Sequence, residues 1–215
     1  MKAALSHREL TASQQARRER ILSATRTLVG QAGYDGMIMR DVAHLAAVSP
    51  TTLYNLYNTK DELVLEALQA SIADSWIRAE QTAELGFDRL MAQLALSIKQ
   101  TKEHSAYALA MTQALLRAQG NDPLAQVLIH RNARAVKASL QAMLNKHELI
   151  PHTDLDELAL DLVSAFWSNY MLWSKELVNL GHLESRIRRA YVSHMLPLTC
   201  GNRHHSLQAQ LGHKA

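Results

Sequence analysis

The chain has one cysteine, Cys200, in 215 residues. A lone thiol cannot build an intramolecular disulfide framework or a CxxC motif, so a reducing, cytoplasmic setting is expected. Aromatics make up only 5%, and glycine and proline together only 12 residues (8 + 4). Sheet formers and turn formers are therefore scarce, which favours helix. No apolar run approaches the roughly 18 residues a membrane span needs, and the opening MKAALSHREL lacks the apolar core of a signal peptide. Also missing are a glycine-rich phosphate loop, a GxSxG nucleophile elbow and the Glu-x-x-His pairs of di-iron helical bundles. The histidines are scattered, with His204 and His205 adjacent near the end. No metal, cofactor or enzymatic activity is expected.

What is present is 47% apolar residues, enough for a sizeable core, and an uneven charge. Residues 1–60 carry eight Lys or Arg and four Asp or Glu, so 8 − 4 = +4; residues 61–215 carry fifteen and sixteen, so 15 − 16 = −1. A basic N-terminal segment suits attraction to phosphate, although a chance asymmetry of this size is equally compatible.

Residues 1–14 have no period and read as a flexible arm, in which Lys2 and Arg8 are the cations. A helix is predicted over 15–32, where Ile21, Thr25, Leu28 and Ala32 repeat at helical spacing and Gly33 follows as a C-terminal stop. Arg17, Arg18, Arg20 and Arg26 lie on its wetter side. A short helix follows over 39–46, with Val42 and Leu45 inward, and then the turn Ala47-Val48. Ser49 fits the N-cap of the next helix and Pro50 its first position, because a helix's first N–H groups have no internal partner and proline has none. That helix ends near Tyr57, with Leu53 and Tyr57 assigned to core. Thr59 and Glu62 match a capping box opening a longer helix over 60–82.

Two short helices set by a tight turn behind a longer one form a helix-turn-helix unit. In combination, Gly33-Tyr34, Arg40-Asp41-Val42-Ala43, Val48-Ser49-Pro50-Thr51-Thr52-Leu53-Tyr54 and Lys60-Asp61-Glu62-Leu63 resemble the N-terminal domain of the TetR (tetracycline repressor) family over roughly residues 17–66. Beyond residue 66 the likeness is architectural only. The resemblance implies a DNA-binding role for Arg40, Ser49, Pro50, Thr51, Thr52, Tyr54, Asn55 and Lys60. It places Arg40, Tyr54 and Lys60 on phosphates, and Ser49 to Thr52 at the start of the recognition helix. The residue chemistry fits this division: Thr and Asn serve bases, whereas Arg, Lys and the Tyr hydroxyl serve phosphates. The sequence departs from the family pattern twice. Met37-Ile38 stand where Thr or Ser commonly caps the first helix of the motif, and Ala47 stands where the turn favours glycine. An alanine held at positive φ there costs on the order of 1 kcal/mol.

The remainder predicts helices over 87–104, 106–119, from Asp122-Pro123 to about 148, from one of two capping choices in Thr153-Asp154-Leu155-Asp156-Glu157 to about 180, and over 183–196, with residues 201–215 a flexible tail. The fold expected is all-α: a helix-turn-helix DNA-binding domain over 15–64, and a helical ligand-binding and dimerisation domain over 65–200. Leu155, Leu158, Leu162 and Ala165 form one apolar stripe, and Ile187, Tyr191 and His194 another. Two such helices from each of two chains would make a four-helix homodimer interface, as the family resemblance implies; the alternative is packing within one chain. Trp76, Met91, Tyr107, Met111, Phe166, Trp167, Tyr170 and Trp173 are candidate ligand-binding residues. Aromatics and methionines around an interhelical cavity suit a small, largely apolar effector, though the same residues also suit plain core.

The resulting expectation is a transcriptional regulator, a repressor, that binds a palindromic operator in double-stranded DNA as a homodimer and is released by a small molecule, with no membrane partner. The alternatives are an architectural DNA-binding protein without effector, and a helical small-molecule carrier that has lost DNA binding.

Overall fold

The structure, a computed structural model, describes residues 11–212. Lys2, Arg8 and most of the expected arm lie outside the described residues. The end of that arm is helical. Helix α1 (Ala12–Gly36) begins in a capping box: Thr11 Oγ1 accepts the Gln14 amide at 3.3 Å, and Gln14 Oε1 accepts the Thr11 amide at 2.9 Å. Near its C-terminal end α1 is broken at Gly33, whose φ of +75° belongs to the left-handed region.

Among the described residues every regular element is helical, and the chain divides into two compact units between Leu68 and Gln69. The first unit holds α1, α2 (Met39–Leu45), α3 (Pro50–Leu56) and the start of α4 (Lys60–Thr82). Its core joins Ile21, Leu22, Val29, Val42, Leu53 and Leu63, all buried. Leu45, expected inward, is 52% exposed. The buried Met39, Val42, Ala43 and Ala46 set the inner face of α2, and at about 100° per residue Leu45 falls roughly 110° from its centre.

The second unit contains the rest of α4, α5 (Phe87–Glu103), α6 (Ser105–Arg117) and α7 (Pro123–Ala125). A π-helical turn, Gln126–Arg131, leads directly into α8 (Asn132–Asn145). α9 (Leu155–Ser174), α10 (Leu183–Met195) and α11 (Gly201–Gly212) complete it. Helix α9 packs against α6, α8 and α10, and α5 against α8 and α10. Asp122 caps the start of α7 by accepting the Leu124 amide, and Asp154 caps α9 by accepting from the Asp156 and Glu157 amides.

This packing corrects two expectations. The stripes assigned to a dimer interface are already buried within one chain: Leu155, Leu158, Leu162, Ala165, Ile187 and Tyr191 belong to the core, and of the assigned residues only His194 is exposed. Helical spacing marks an apolar face but not what covers it, and here α9 and α10 cover each other. The exposed side of α9 instead carries Leu160, Ser164, Ser168 and Met171.

Residues 201–212 form helix α11 rather than a flexible tail. Leu207 is fully buried and Leu211 packs beside it, an i, i+4 pair. Arg203 holds Glu148 through two hydrogen bonds (3.1 and 3.2 Å) and lies 4.7 Å from the Phe87 ring centre. An antiparallel bridge pairs Leu149 with Thr199 just before this helix.

Candidate nucleic-acid interface and effector cavity

Helix α3 owes its start to Ser49, whose Oγ accepts the Thr52 amide at 3.0 Å, with Pro50 at the first turn. The Ser49 and Thr52 hydroxyls also share a hydrogen bond of 2.8 Å. Leu53 turns inward, fully buried, while Pro50, Thr51, Tyr54 and Asn55 are exposed, Tyr54 by 51%. The outer face of α3 is therefore short, uncharged and rich in hydroxyl and amide groups.

Cations flank it. Arg40 is exposed on the first turn of α2. Lys60 opens α4, donates to the Asp35 carbonyl at 2.9 Å and stands 5.6 Å from the Tyr34 ring centre. Tyr34 in turn donates its hydroxyl to Asp61 at 2.8 Å. The α4 start is capped by Thr59, which accepts the Glu62 amide, but Glu62 itself accepts from the backbone and side-chain amides of Asn58 rather than from Thr59. Of the α1 arginines, three have protein partners: Arg18 donates to Glu66 at 2.7 Å, Arg20 to the Ala46 carbonyl, and Arg26 to Glu19. Tyr57, 4% exposed, donates to the same Glu66 oxygen as Arg18. Burial, and then the Glu66 charge, pushes the Tyr57 hydroxyl well above its ordinary value.

Both departures in the motif have structural consequences. Ile38 occupies the N-cap of α2, makes no side-chain cap and is 59% exposed. Ala47 adopts φ +53°, the left-handed conformation that glycine takes without strain.

The eight residues proposed from sequence for a ligand site separate into two groups. Trp76, Phe166 and Trp167 line a cavity of about 50 Å³ inside the second unit. Leu90, Gln93, Leu94 and Ser97 of α5, Asn132 and Val136 of α8, Val163 of α9 and Tyr191 of α10 complete the lining. Met91, Tyr107, Met111, Tyr170 and Trp173 are not part of it. Tyr170 is buried core: it stacks on Phe166 at 4.4 Å between ring centres and shares a 2.6 Å hydrogen bond with Thr101. Trp173 meets Tyr170 edge to face, and Met91, Tyr107 and Met111 are buried. Helical spacing grouped Phe166, Tyr170 and Trp173, but the cavity takes Phe166 and its neighbour Trp167.

The polar lining of the cavity was not anticipated. Gln93 and Ser97 sit one turn apart on α5, with a 3.4 Å contact between the amide nitrogen and the hydroxyl. The Leu128 carbonyl, within the π-helical turn, accepts from both Asn132 Nδ2 (2.9 Å) and Trp167 Nε1 (3.2 Å). A π turn offsets the backbone ladder by one residue and is frequent at functional sites; here it carries the carbonyl that holds two cavity residues. Among the described residues no group of three or more His, Cys, Asp or Glu is placed to hold a metal ion. Among the described residues no helix is long and apolar enough to cross a membrane.

Residues 21–67 match the model of a family described as bacterial regulatory proteins, tetR family. Residues 21–67 are thus a TetR-family segment. The TetR-family match takes in α2, α3 and the start of α4. The chain is 31% identical over 116 residues to the HTH-type transcriptional repressor KstR of Mycobacterium tuberculosis, covering 52% of this chain and 53% of that one. It is 42% identical over 67 residues to KstR of Mycolicibacterium smegmatis, covering 31% and 33%. The chain thus spans about half or less of the length of these curated relatives. Two solved structures share its fold: a TetR-family regulator from Rhodococcus sp. (TM-score 0.69, 22% identity, 80% of this chain and 95% of that one) and tylp, a TetR regulator from Streptomyces fradiae (TM-score 0.70, 19% identity, 93% and 92%). TetR-family proteins are transcriptional regulators, not enzymes.

Proposed function

We propose that this chain is a ligand-responsive repressor that binds a palindromic operator in double-stranded DNA as a homodimer and is released by a small, largely apolar effector. The observation that carries this reading is the exposed Thr51–Tyr54–Asn55 face on a helix whose start is capped by Ser49. In this reading α3 enters the major groove, Thr51 and Asn55 meet base edges, and Arg40, Tyr54 and Lys60 meet phosphates. Ser49 and Thr52 hold the helix start, with Pro50 packed close to the backbone.

The second copy docks on the exposed sides of α9 and α10, through Leu160, Ser164, Ser168 and Met171 with Arg186, Arg189 and Ser193. Two readers related by a two-fold axis require half-sites one helical turn apart. The effector enters the cavity that Trp76 lines from α4, the helix that opens with Lys60. At about 50 Å³ the cavity holds a few waters, at roughly 10–15 Å³ each, so an effector must favour a wider conformer. A preference of about 1–3 kcal/mol for that conformer is enough for a modest response.

The test is selection of bound duplexes from a random DNA pool, followed by a screen for compounds that release the selected sequence. Enrichment of an inverted repeat is expected. Recovery of no shared sequence would favour an architectural DNA-binding protein, and absence of retained DNA a carrier.

A further inference from the structure

The cavity has a polar wall as well as an aromatic one. Gln93 lines the cavity, and its Oε1 is buried without a hydrogen-bond partner. Its amide nitrogen has only the long 3.4 Å contact to Ser97, so the head group as a whole is under-satisfied. A buried amide oxygen without a partner is unfavourable, and a bound molecule's polar group that reaches the Gln93 head group as the cavity widens supplies one. Trp76, Phe166 and Val163 supply apolar surface in the same cavity. None of its lining residues carries a formal charge; the one phenol, Tyr191, is held neutral because burial pushes its hydroxyl well above the ordinary value. An ionised ligand would therefore be stripped of water with no counter-charge to receive it.

We infer that the effector of this cavity is an uncharged, mainly apolar molecule bearing a hydroxyl group, and that the hydroxyl pairs with the side-chain amide of Gln93. A hydroxyl both donates and accepts, so it serves the amide oxygen and remains within the polar wall that Ser97 continues. The apolar body lies toward Trp76 and Phe166. This inference rests on the cavity being the effector site, and specifies what that site selects.

The probes are phenol, toluene and benzoate, which share a ring and differ in a hydroxyl, a methyl and a charged carboxylate. Binding is measured by isothermal titration calorimetry on the full chain, on Gln93→Leu and on Val136→Ala, which enlarges the cavity. A retained helical signal and a cooperative melting transition establish that each variant is folded. In the unaltered chain phenol should bind roughly tenfold tighter than toluene, and benzoate should not bind. Gln93→Leu should abolish or invert the phenol preference. Equal binding of phenol and toluene, tighter binding of benzoate, or a phenol preference that survives Gln93→Leu overturns the inference and leaves the cavity reading intact. Failure of all three probes to bind both the unaltered chain and Val136→Ala overturns the cavity reading and the inference together.

Discussion

The Ser49 hydroxyl accepts the Thr52 amide at 3.0 Å and stands 2.8 Å from the Thr52 hydroxyl, so these two side chains at the start of α3 are engaged with each other. Thr51, Tyr54 and Asn55 stand outward and exposed without taking part in that pairing. In the proposed reading this divides α3 into residues that hold its start and residues offered to DNA. Ser49→Ala should lower stability by about 1 kcal/mol through loss of the cap and weaken all DNA sequences alike. Thr51→Ala and Asn55→Ala should leave the melting temperature nearly unchanged and alter base preference. Selected-sequence profiles of the three variants check the division; a uniform loss for Thr51→Ala and Asn55→Ala would place both on the backbone.

Two substitutions should strengthen the motif. Ala47→Gly relieves a φ of +53° and should stabilise by about 1 kcal/mol. Ile38→Asp supplies a cap where the exposed isoleucine makes none, and should add about 1 kcal/mol. Urea denaturation followed by circular dichroism measures both, and a lowered midpoint for either would contradict the strain or the missing cap.

Lys60→Ala removes a cation from the N-terminal end of α4. Binding should weaken for every sequence, and the dependence of log K on log salt should flatten by about one unit. An unchanged salt slope would leave Lys60 with only its contacts to the Asp35 carbonyl and the Tyr34 ring.

Neighbouring leucines of α9 should behave oppositely. Leu162 is fully buried within the chain, and Leu162→Ala should cost about 2–5 kcal/mol of stability. Leu160 is 40% exposed, and Leu160→Glu should leave the protomer folded while shifting the sedimentation profile toward monomer. If Leu160→Glu stays dimeric, the second copy docks elsewhere.

Alkali should unfold the chain through its buried phenols. Burial raises the Tyr170 and Tyr191 hydroxyls above the ordinary value of 10.0, and burial with Glu66 raises that of Tyr57. Above about pH 10 the unfolded chain releases these protons while the native chain retains them, so the unfolded state binds fewer protons and stability falls as pH rises. Below that range these groups leave stability level. Denaturation midpoints measured from about pH 8 to 11 should show the decline, and Tyr170→Phe should make it shallower. A slope unchanged by Tyr170→Phe would contradict the burial effect.

Much of this was legible in the sequence because its signals are local. Ser49-Pro50 and Asp122-Pro123 are caps that act within a turn, and both start helices where the residue types say they should; of the two capping choices within Thr153–Glu157 the chain takes Asp154. The Thr11–Gln14 box is equally local and readable, so the arm expectation overran a signal already present. The π turn was not legible: residues 126–131 have ordinary helical composition, and the carbonyl offset becomes visible only with Asn132 and Trp167 around Leu128. The tail expectation failed for a similar reason, since Leu207 and Leu211 gain their meaning from the core they enter and Arg203 from Glu148.

By itself the sequence determined an all-helical chain with a helix-turn-helix near its start, because propensity, capping and apolar period act over a few residues. Only the tertiary structure decided what each apolar face covers. It assigned Leu162 and Ile187 to the interior of one chain, left Leu160 and Met171 outside, and drew Gln93, Asn132 and Tyr191 together around a cavity. Helical period says which residues share a face, but burial and cavity shape depend on the neighbouring helices, and those come from distant parts of the chain.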